Sequence, residues 1–235
     1  MPEVAADVEM ALGTGYGESK WICEEILAIS RAETDLQPVI VRIGQVSGGV
    51  NGYWKPSEWI PSIVQSAALT GCLPSLDKVS KPPEMLMRRA NRTCIQDIHL
   101  LPAEIAAAAI VNLRSSTKEY LHLSHPRPTP WNVVMRYTAQ KFGVPLVPWA
   151  EWLDRLGKSE PSMSENENAA LRLLGFYKAA KVDADHRDAG GVARYDLSIA
   201  MSETAVLDPG NLSSIGPDDV QKWLDFWKSI GCISY

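Results

Sequence analysis

The sequence predicts an α/β fold: part of a parallel sheet with its helices, joined to a mostly helical lobe. Two observations carry this. A helically spaced segment runs directly into the β-branched stretch Val39-Ile40-Val41-Arg42-Ile43-Gly44, which together make half of a βαβ unit. The same alternation then recurs, with a strand over 93–100, an alanine-rich helix over 102–113 and a strand over 119–123. Helical patterning dominates the rest of the chain.

The first helix spans 17–33, with Ile22, Ile26 and Ile29 at helical spacing behind the turn Gly13-Thr14-Gly15. Pro38 opens the following strand, which ends at glycine as a buried parallel strand does. The glycine-bearing loop 47–55 leads to a helix over 56–70, where proline near the start is tolerated because that N–H has no intrahelical partner. Residues 78–83 read as a surface loop, and the loop Ser124-His125-Pro126-Arg127-Pro128 follows the strand ending at 123. A helix over 131–142, an extended piece over 144–147 and a helix over 149–156 come next. The polar run 158–168 reads as a connection, 169–180 as a helix, 183–191 as a charged loop, and the region near Ser198 as a short helix. Pro217-Asp218-Asp219 cap a final amphipathic helix with Val220, Trp223, Leu224 and Trp227 on one face. The chain thus reads as a single truncated domain, with 12–53 and 93–125 as the sheet-bearing core and 54–92 and 126–235 as the lobe.

With 235 residues, 46% of them hydrophobic, the chain can bury a substantial core. Its net charge of -5 argues against a nucleic-acid partner, which calls for a basic stripe; Lys81, Arg88, Arg89 and Arg92 form only a local group. Cys23, Cys72, Cys94 and Cys232 are scattered without a CxxC pair, so a reducing, cytoplasmic setting is expected, with no zinc site and no disulfide framework. No stretch approaches the ~20 apolar residues of a membrane span, and no membrane partner is expected.

The strongest chemical signal is Gly13-Thr14-Gly15-Tyr16-Gly17-Glu18-Ser19-Lys20-Trp21, where Tyr16 and Lys20 stand four apart at a helix start and share a face. A phenol is a poor acid at neutral pH, with an ordinary pKa of about 10. A neighbouring ammonium favours its phenolate, which helps it give a proton to a carbonyl oxygen as hydride reaches the carbon. Spacing alone decides nothing, because Tyr137 and Lys141, and Tyr177 and Lys181, are spaced alike. Context singles out Tyr16: a glycine-flanked turn before it, and one helix later a strand ending in Arg42-Ile43-Gly44-Gln45.

His122 and His125 read as a strand-end and a loop histidine with no carboxylate or cysteine partner for a metal. Trp149, Trp152, Trp223 and Trp227 read as core, and Asp183, Asp185, His186 and Asp188 as a solvated loop.

The run Gly15-Tyr16-Gly17-Glu18-Ser19-Lys20-Trp21 through Glu25 resembles the extended short-chain dehydrogenase/reductases, and within them the thioester reductase domains that end fungal nonribosomal-peptide-synthetase-like and carboxylic acid reductase enzymes. The resemblance continues in Val41-Arg42-Ile43-Gly44-Gln45-Val46-Ser47-Gly48, in 54–61, in Leu73-Pro74 and in Trp223-Leu224-Asp225-Phe226-Trp227, so it covers most of the chain from Leu12 onward. It implies the C-terminal portion of a Rossmann-type sheet with a helical substrate lobe. By this resemblance Tyr16 would donate the proton, and Lys20 would hold the nicotinamide ribose and lower the phenol pKa. Gln45, Val46 and Ser47 would lie beside the nicotinamide of NADPH, and Trp54 and Trp59 would belong to the substrate-binding region. The implied substrate is an acyl thioester on the phosphopantetheine arm of a carrier domain, and the implied product is an aldehyde or an alcohol.

Two departures stand out. Leu100-Leu101-Pro102-Ala103-Glu104 occupies the place of a Trp-Leu-Pro-Val-Asp motif. Upstream of Tyr16 there is no glycine-rich turn to receive a pyrophosphate at a helix N-terminus, so this chain alone is expected to bind NADPH weakly and to be inactive. A parallel sheet lacking its first strands should also expose an apolar edge that invites association. The competing readings are a non-catalytic module that binds a carrier or acyl chain, and a sugar-nucleotide epimerase of the same superfamily.

Overall fold

A computed structural model describes residues 1–79, 93–159, 169–180, 182 and 187–235. Helix α1 (Gly15–Glu33) starts where Thr14 accepts the Gly17 N–H through its side chain at 3.1 Å and Glu18 accepts the Gly13 N–H at 3.2 Å, which satisfies donors that the first turn leaves free. The chain returns through β1 (Ile40–Ile43) and β2 (Val46–Ser47) to α2 (Trp59–Thr70), β3 (Leu73–Ser75) and β4 (Asp77–Val79). After β5 (Thr93–Ile95), β6 (Asp97–Ile98) and β7 (Leu101–Pro102) come α3 (Ala103–Leu113), β8 (Tyr120–Leu123) and β9 (Thr129–Pro130). Helices α4 (Trp131–Phe142), α5 (Trp149–Ser159), α6 (Ala169–Arg172), α7 (Leu174–Ala179), α8 (Ser198–Glu203) and α9 (Pro217–Ser229) complete it, with β10 (Leu146–Pro148) ahead of α5.

The architecture is α/β. β1 runs parallel to β8, with Ile40 opposite Tyr120 and Ile43 opposite Leu123; β2 is parallel to β7 and β3 to β10. β4 with β5, and β6 with β9, pair antiparallel.

Among the described residues, two hydrophobic clusters hold the fold together. The smaller packs α3 against the sheet through Leu101, Ala106, Ala109, Leu113, Leu121 and Leu123. The larger fills the helical lobe with Trp54, Ile63, Trp131, Trp152, Tyr177, Trp223 and Trp227. The four tryptophans read as core, Trp149, Trp152, Trp223 and Trp227, are all buried. Among the described residues, no helix is long and apolar enough to cross a membrane.

Several boundaries differ from expectation. The strand over 93–100 is two short ones, because β5 and β6 pair with different partners, and β7 follows where the helix over 102–113 is expected to begin. The helix over 56–70 begins at Trp59, behind an extended Glu58, and places Pro61 rather than Pro56 in its first turn. The helix over 169–180 breaks at Leu173. β4 reaches Val79, into the segment read as a loop from 78. Ala200 and Leu207 join the smaller cluster, so not all of 126–235 packs with the lobe. The basic group at Lys81, Arg88, Arg89 and Arg92 lies outside the described residues.

Candidate active site

Tyr16 and Lys20 occupy the first two turns of α1, and the Lys20 Nζ stands 5.4 Å from the centroid of the Tyr16 ring. The ring is 75% exposed, and its hydroxyl has no hydrogen-bond partner among the described residues. Both side chains line a cleft of about 550 Å³ between α1, β1 and the segment before α1, with Ala6, Met10 and Tyr195 completing its wall.

The segment ahead of α1 is tied down rather than loose. The buried Glu3 carboxylate accepts N–H groups from His122 at 2.8 Å, Ile199 at 2.6 Å and Ala200 at 3.1 Å, and so caps the first turn of α8 from outside. The Trp21 indole N–H reaches the Ala6 carbonyl at 3.0 Å. Gly17 permits the close approach, since a Cβ there would stand 2.9 Å from the Ala11 oxygen.

Below the cleft, Glu24 of α1 and Arg42 of β1 form a two-pronged ion pair at 2.8 and 2.5 Å, which fixes the helix on the strand. Arg42 also donates to the Val4 carbonyl at 2.9 Å and lies 3.3 Å from the His122 Nε2. A guanidinium can only donate, so Nε2 is the acceptor and Nδ1–H donates to the Asp196 carbonyl at 2.9 Å. His125 is fixed likewise: its Nδ1 accepts the Arg127 N–H at 2.9 Å, and its Nε2–H donates to the Ser213 carbonyl at 3.1 Å.

Both imidazoles are buried, and burial holds each below its ordinary pKa. The unfolded chain therefore takes up more protons than the folded one as pH falls through about 6.5, and stability drops with it. Thermal melts between pH 8 and 5 should show this decline, with a shallower slope in His122→Gln. Equal slopes in the two proteins would remove His122 as a source of it.

The other anticipated residues fall into two groups. The Gln45 carboxamide is engaged at both ends: its oxygen accepts the Trp59 indole N–H at 2.6 Å, and its nitrogen donates to the Val46 carbonyl at 2.7 Å and to Glu58 at 3.2 Å. Ser47 is buried, and its hydroxyl has no partner among the described residues. Trp59 is half-buried and stacked on Trp131 at 5.7 Å and 4°. Trp54, expected in the substrate region, is only 2% exposed; its ring meets Trp223 edge-on at 4.8 Å and its N–H goes to Glu58 at 3.0 Å, so it packs within the lobe.

One cluster escaped the sequence. His99 Nδ1 lies 2.5 Å from Asp188, and Arg194 holds the other oxygen of the same carboxylate at 2.8 Å. Asp188 is 3% exposed, which corrects its reading as part of a solvated loop; Asp183, Asp185 and His186 lie outside the described residues. His99 stands too far from Asp188 in sequence for spacing to join them.

The look-alike pairs are informative. Lys141 Nζ is 5.2 Å from the Tyr137 ring, close to the separation of Lys20 and Tyr16. The Tyr137 hydroxyl, however, donates to Gln221 at 2.7 Å, and Tyr177 is fully buried with its hydroxyl on the Trp59 carbonyl at 2.8 Å. Lys181 lies outside the described residues.

The chain has counterparts among known proteins. The family described as "Male sterility protein", one of the NAD-binding domain families, matches residues 2–110. The adenylate-forming reductase Nps10 of Heterobasidion annosum is 34% identical over 241 residues, which cover 97% of this chain. The chain is thus similar over residues 2–110 to that family and over nearly its whole length to an adenylate-forming reductase.

Solved structures agree on the fold. The terminal reductase domain of the myxalamid pathway matches all of the chain with a TM-score of 0.72 at 21% identity. A thiolation-reductase di-domain from an archaeal nonribosomal peptide synthetase matches 97% of it with a TM-score of 0.66 at 13% identity. The chain spans 20% of the Heterobasidion annosum relative, 54% of the myxalamid domain and 43% of the di-domain. Its fold is therefore Rossmann-like.

Proposed function

We propose that this chain carries the proton-donating part of an NADPH-dependent reductase, and that it is inactive alone. Its substrate is an acyl thioester on a carrier domain's phosphopantetheine arm, and its product is an aldehyde or, after a second reduction, an alcohol. The observation that carries this reading is the Tyr16 phenol with an unspent hydroxyl, an ammonium beside its ring and a cleft in front of it. When bound, the nicotinamide supplies the hydride. Tyr16 gives its proton to the carbonyl oxygen, and Lys20 keeps positive charge next to the phenolate that this leaves; the thiohemiacetal so formed returns that proton to the phenolate as its C–S bond breaks, releasing the aldehyde and the carrier's thiolate.

The buried, unpartnered Ser47 hydroxyl supports a polar ligand group at the end of β2. We assign Lys20, Val46 and Ser47 to cofactor binding. Gln45, whose carboxamide is already used within the protein, sets the shape of that loop, and Trp59 forms its far side. The carrier partner is supported by the nature of the relatives, an adenylate-forming reductase and a thiolation-reductase di-domain.

The test uses a complete reductase containing this chain and a carrier loaded with an acyl thioester, following the loss of reduced-nicotinamide absorbance together with aldehyde formation. The complete protein should turn over with NADPH while the 235-residue chain does not, and Lys20→Met should raise the KM for NADPH and lower kcat. Equal turnover by the isolated chain, or an inert Lys20→Met, would count against the reading.

A further inference from the structure

We infer that Tyr195 is a second hydrogen-bond donor in the Tyr16 cleft, serving the oxygen of the acyl group that is reduced, and that the buried Asp188, bound to His99 and Arg194, positions it. The inference rests on the reading of this cleft as the site of reduction.

Tyr195 lines the cleft together with Tyr16 and Lys20, although it comes from neither α1 nor β1. Its level in the cleft follows from two contacts between that helix and strand. Arg31 donates to the Pro38 carbonyl at 3.2 Å and Arg42 pairs with Glu24, so β1 runs back along α1. Four residues up the helix from Glu24, about 6 Å, stands Lys20. Two residues up the strand from Arg42, about 6.6 Å, stands Gly44. A Cβ at Gly44 would lie 3.4 Å from Tyr195 Cε2, so the tyrosine ring sits beside the carboxyl end of β1, level with Lys20 and one helical turn from Tyr16. The carboxyl ends of parallel strands are where open α/β sheets bind their ligands. The Tyr195 hydroxyl has no hydrogen-bond partner among the described residues.

The residue is anchored on both sides. Arg194, just before it, donates to Asp188 Oδ1 at 2.8 Å. The other oxygen of this carboxylate accepts the His99 backbone N–H at 3.1 Å and lies 2.5 Å from His99 Nδ1. Asp196, just after it, accepts the His122 Nδ1–H on its carbonyl at 2.9 Å, and the His122 ring stands 4.6 Å from that of Tyr195. Asp188 closes its own turn as well, through the Val192 carbonyl and the Gly191 N–H, both at 2.9 Å. Gly190, at φ +74°, lays that turn on Trp59, where a Cβ would meet the ring at 2.8 Å. A carboxylate out of water is costly unless it is paired and hydrogen-bonded. Here the pairing orders a segment that ends in a phenol inside the cleft.

Burial holds the Tyr195 hydroxyl above the ordinary phenol pKa, with Arg42 opposing and Tyr16 and Glu24 adding to it. It therefore keeps its proton and offers a hydrogen bond that strengthens as negative charge grows on the carbonyl oxygen. Tyr16 transfers a proton to that oxygen, whereas Tyr195 stabilises the charge without transferring one.

The test measures Tyr195→Phe, Arg194→Met, the double variant and Tyr16→Phe in a complete reductase, with an acyl thioester on its carrier. Tyr195→Phe should lower kcat by about 10²-fold, the size found on removing one preorganised donor, with the melting temperature and the KM for NADPH unchanged. Arg194→Met should lower kcat less, and should add nothing in the Tyr195→Phe background, because it acts through that hydroxyl. If Tyr16→Phe stops reduction while Tyr195→Phe stays within about twofold of the parent, the inference fails and the reading of the cleft stands. If Tyr16→Phe is itself without effect, both fail. A Tyr195→Phe loss that follows the unfolded fraction, a change confined to the KM for NADPH, or an Arg194→Met effect of equal size with and without the hydroxyl would each overturn the inference.

Discussion

Replacing Tyr16 with phenylalanine in a complete reductase should lower kcat by about 10²–10⁴-fold, the range typical for removing a positioned proton donor. The substitution removes one hydroxyl and keeps the ring. Because the ring is 75% exposed and the hydroxyl bonds to nothing among the described residues, the melting temperature should not move, and carrier binding should persist. The combination is diagnostic. A non-catalytic binding module would show no loss of reduction at all, and a structural tyrosine would show its loss in the melting curve. Single-turnover measurement with a loaded carrier separates the chemical step from product release.

The largest stability effect is expected at Trp54→Ala, a loss of roughly 3–5 kcal/mol in urea denaturation. The Trp54 ring lies against Trp223 and Trp227 at 4.8 and 5.9 Å, and the Trp227 indole N–H donates to its backbone carbonyl at 2.8 Å. Truncation would leave a cavity between α9 and the loop before α2, and the Glu58 carboxylate would lose the indole donor. Any accompanying loss of activity should follow the unfolded fraction and disappear when the protein is assayed well below its transition. A selective rise in KM for the acyl substrate, at unchanged stability, would return Trp54 to the substrate surface.

The two tryptophans illustrate what a sequence can convey. Trp54 and Trp59 stand five apart on either side of Lys55-Pro56-Ser57-Glu58; one is interior against α9 and the other lies beside Gln45. Helix α4 was legible to the residue because a proline precedes it, a glycine follows it and its apolar positions repeat between them. Residues 93–95 and 97–98 look like one strand, since the apolar pattern says nothing about how many partners a stretch will have. The link between His99 and Asp188 could not be read, as it depends on a loop folding back across the lobe. The stripe on α1 was visible as a period, whereas its lack of cover is a property of neighbours.

The stacked indoles of Trp59 and Trp131 give the molecule an optical signature of its own. Rings 5.7 Å apart and within 4° of parallel couple their excited states, and Trp59 is also held by the carboxamide of Gln45. A ligand that pulled on that carboxamide would alter the coupling, so near-ultraviolet circular dichroism can follow events at the β2 end without any label attached to the protein.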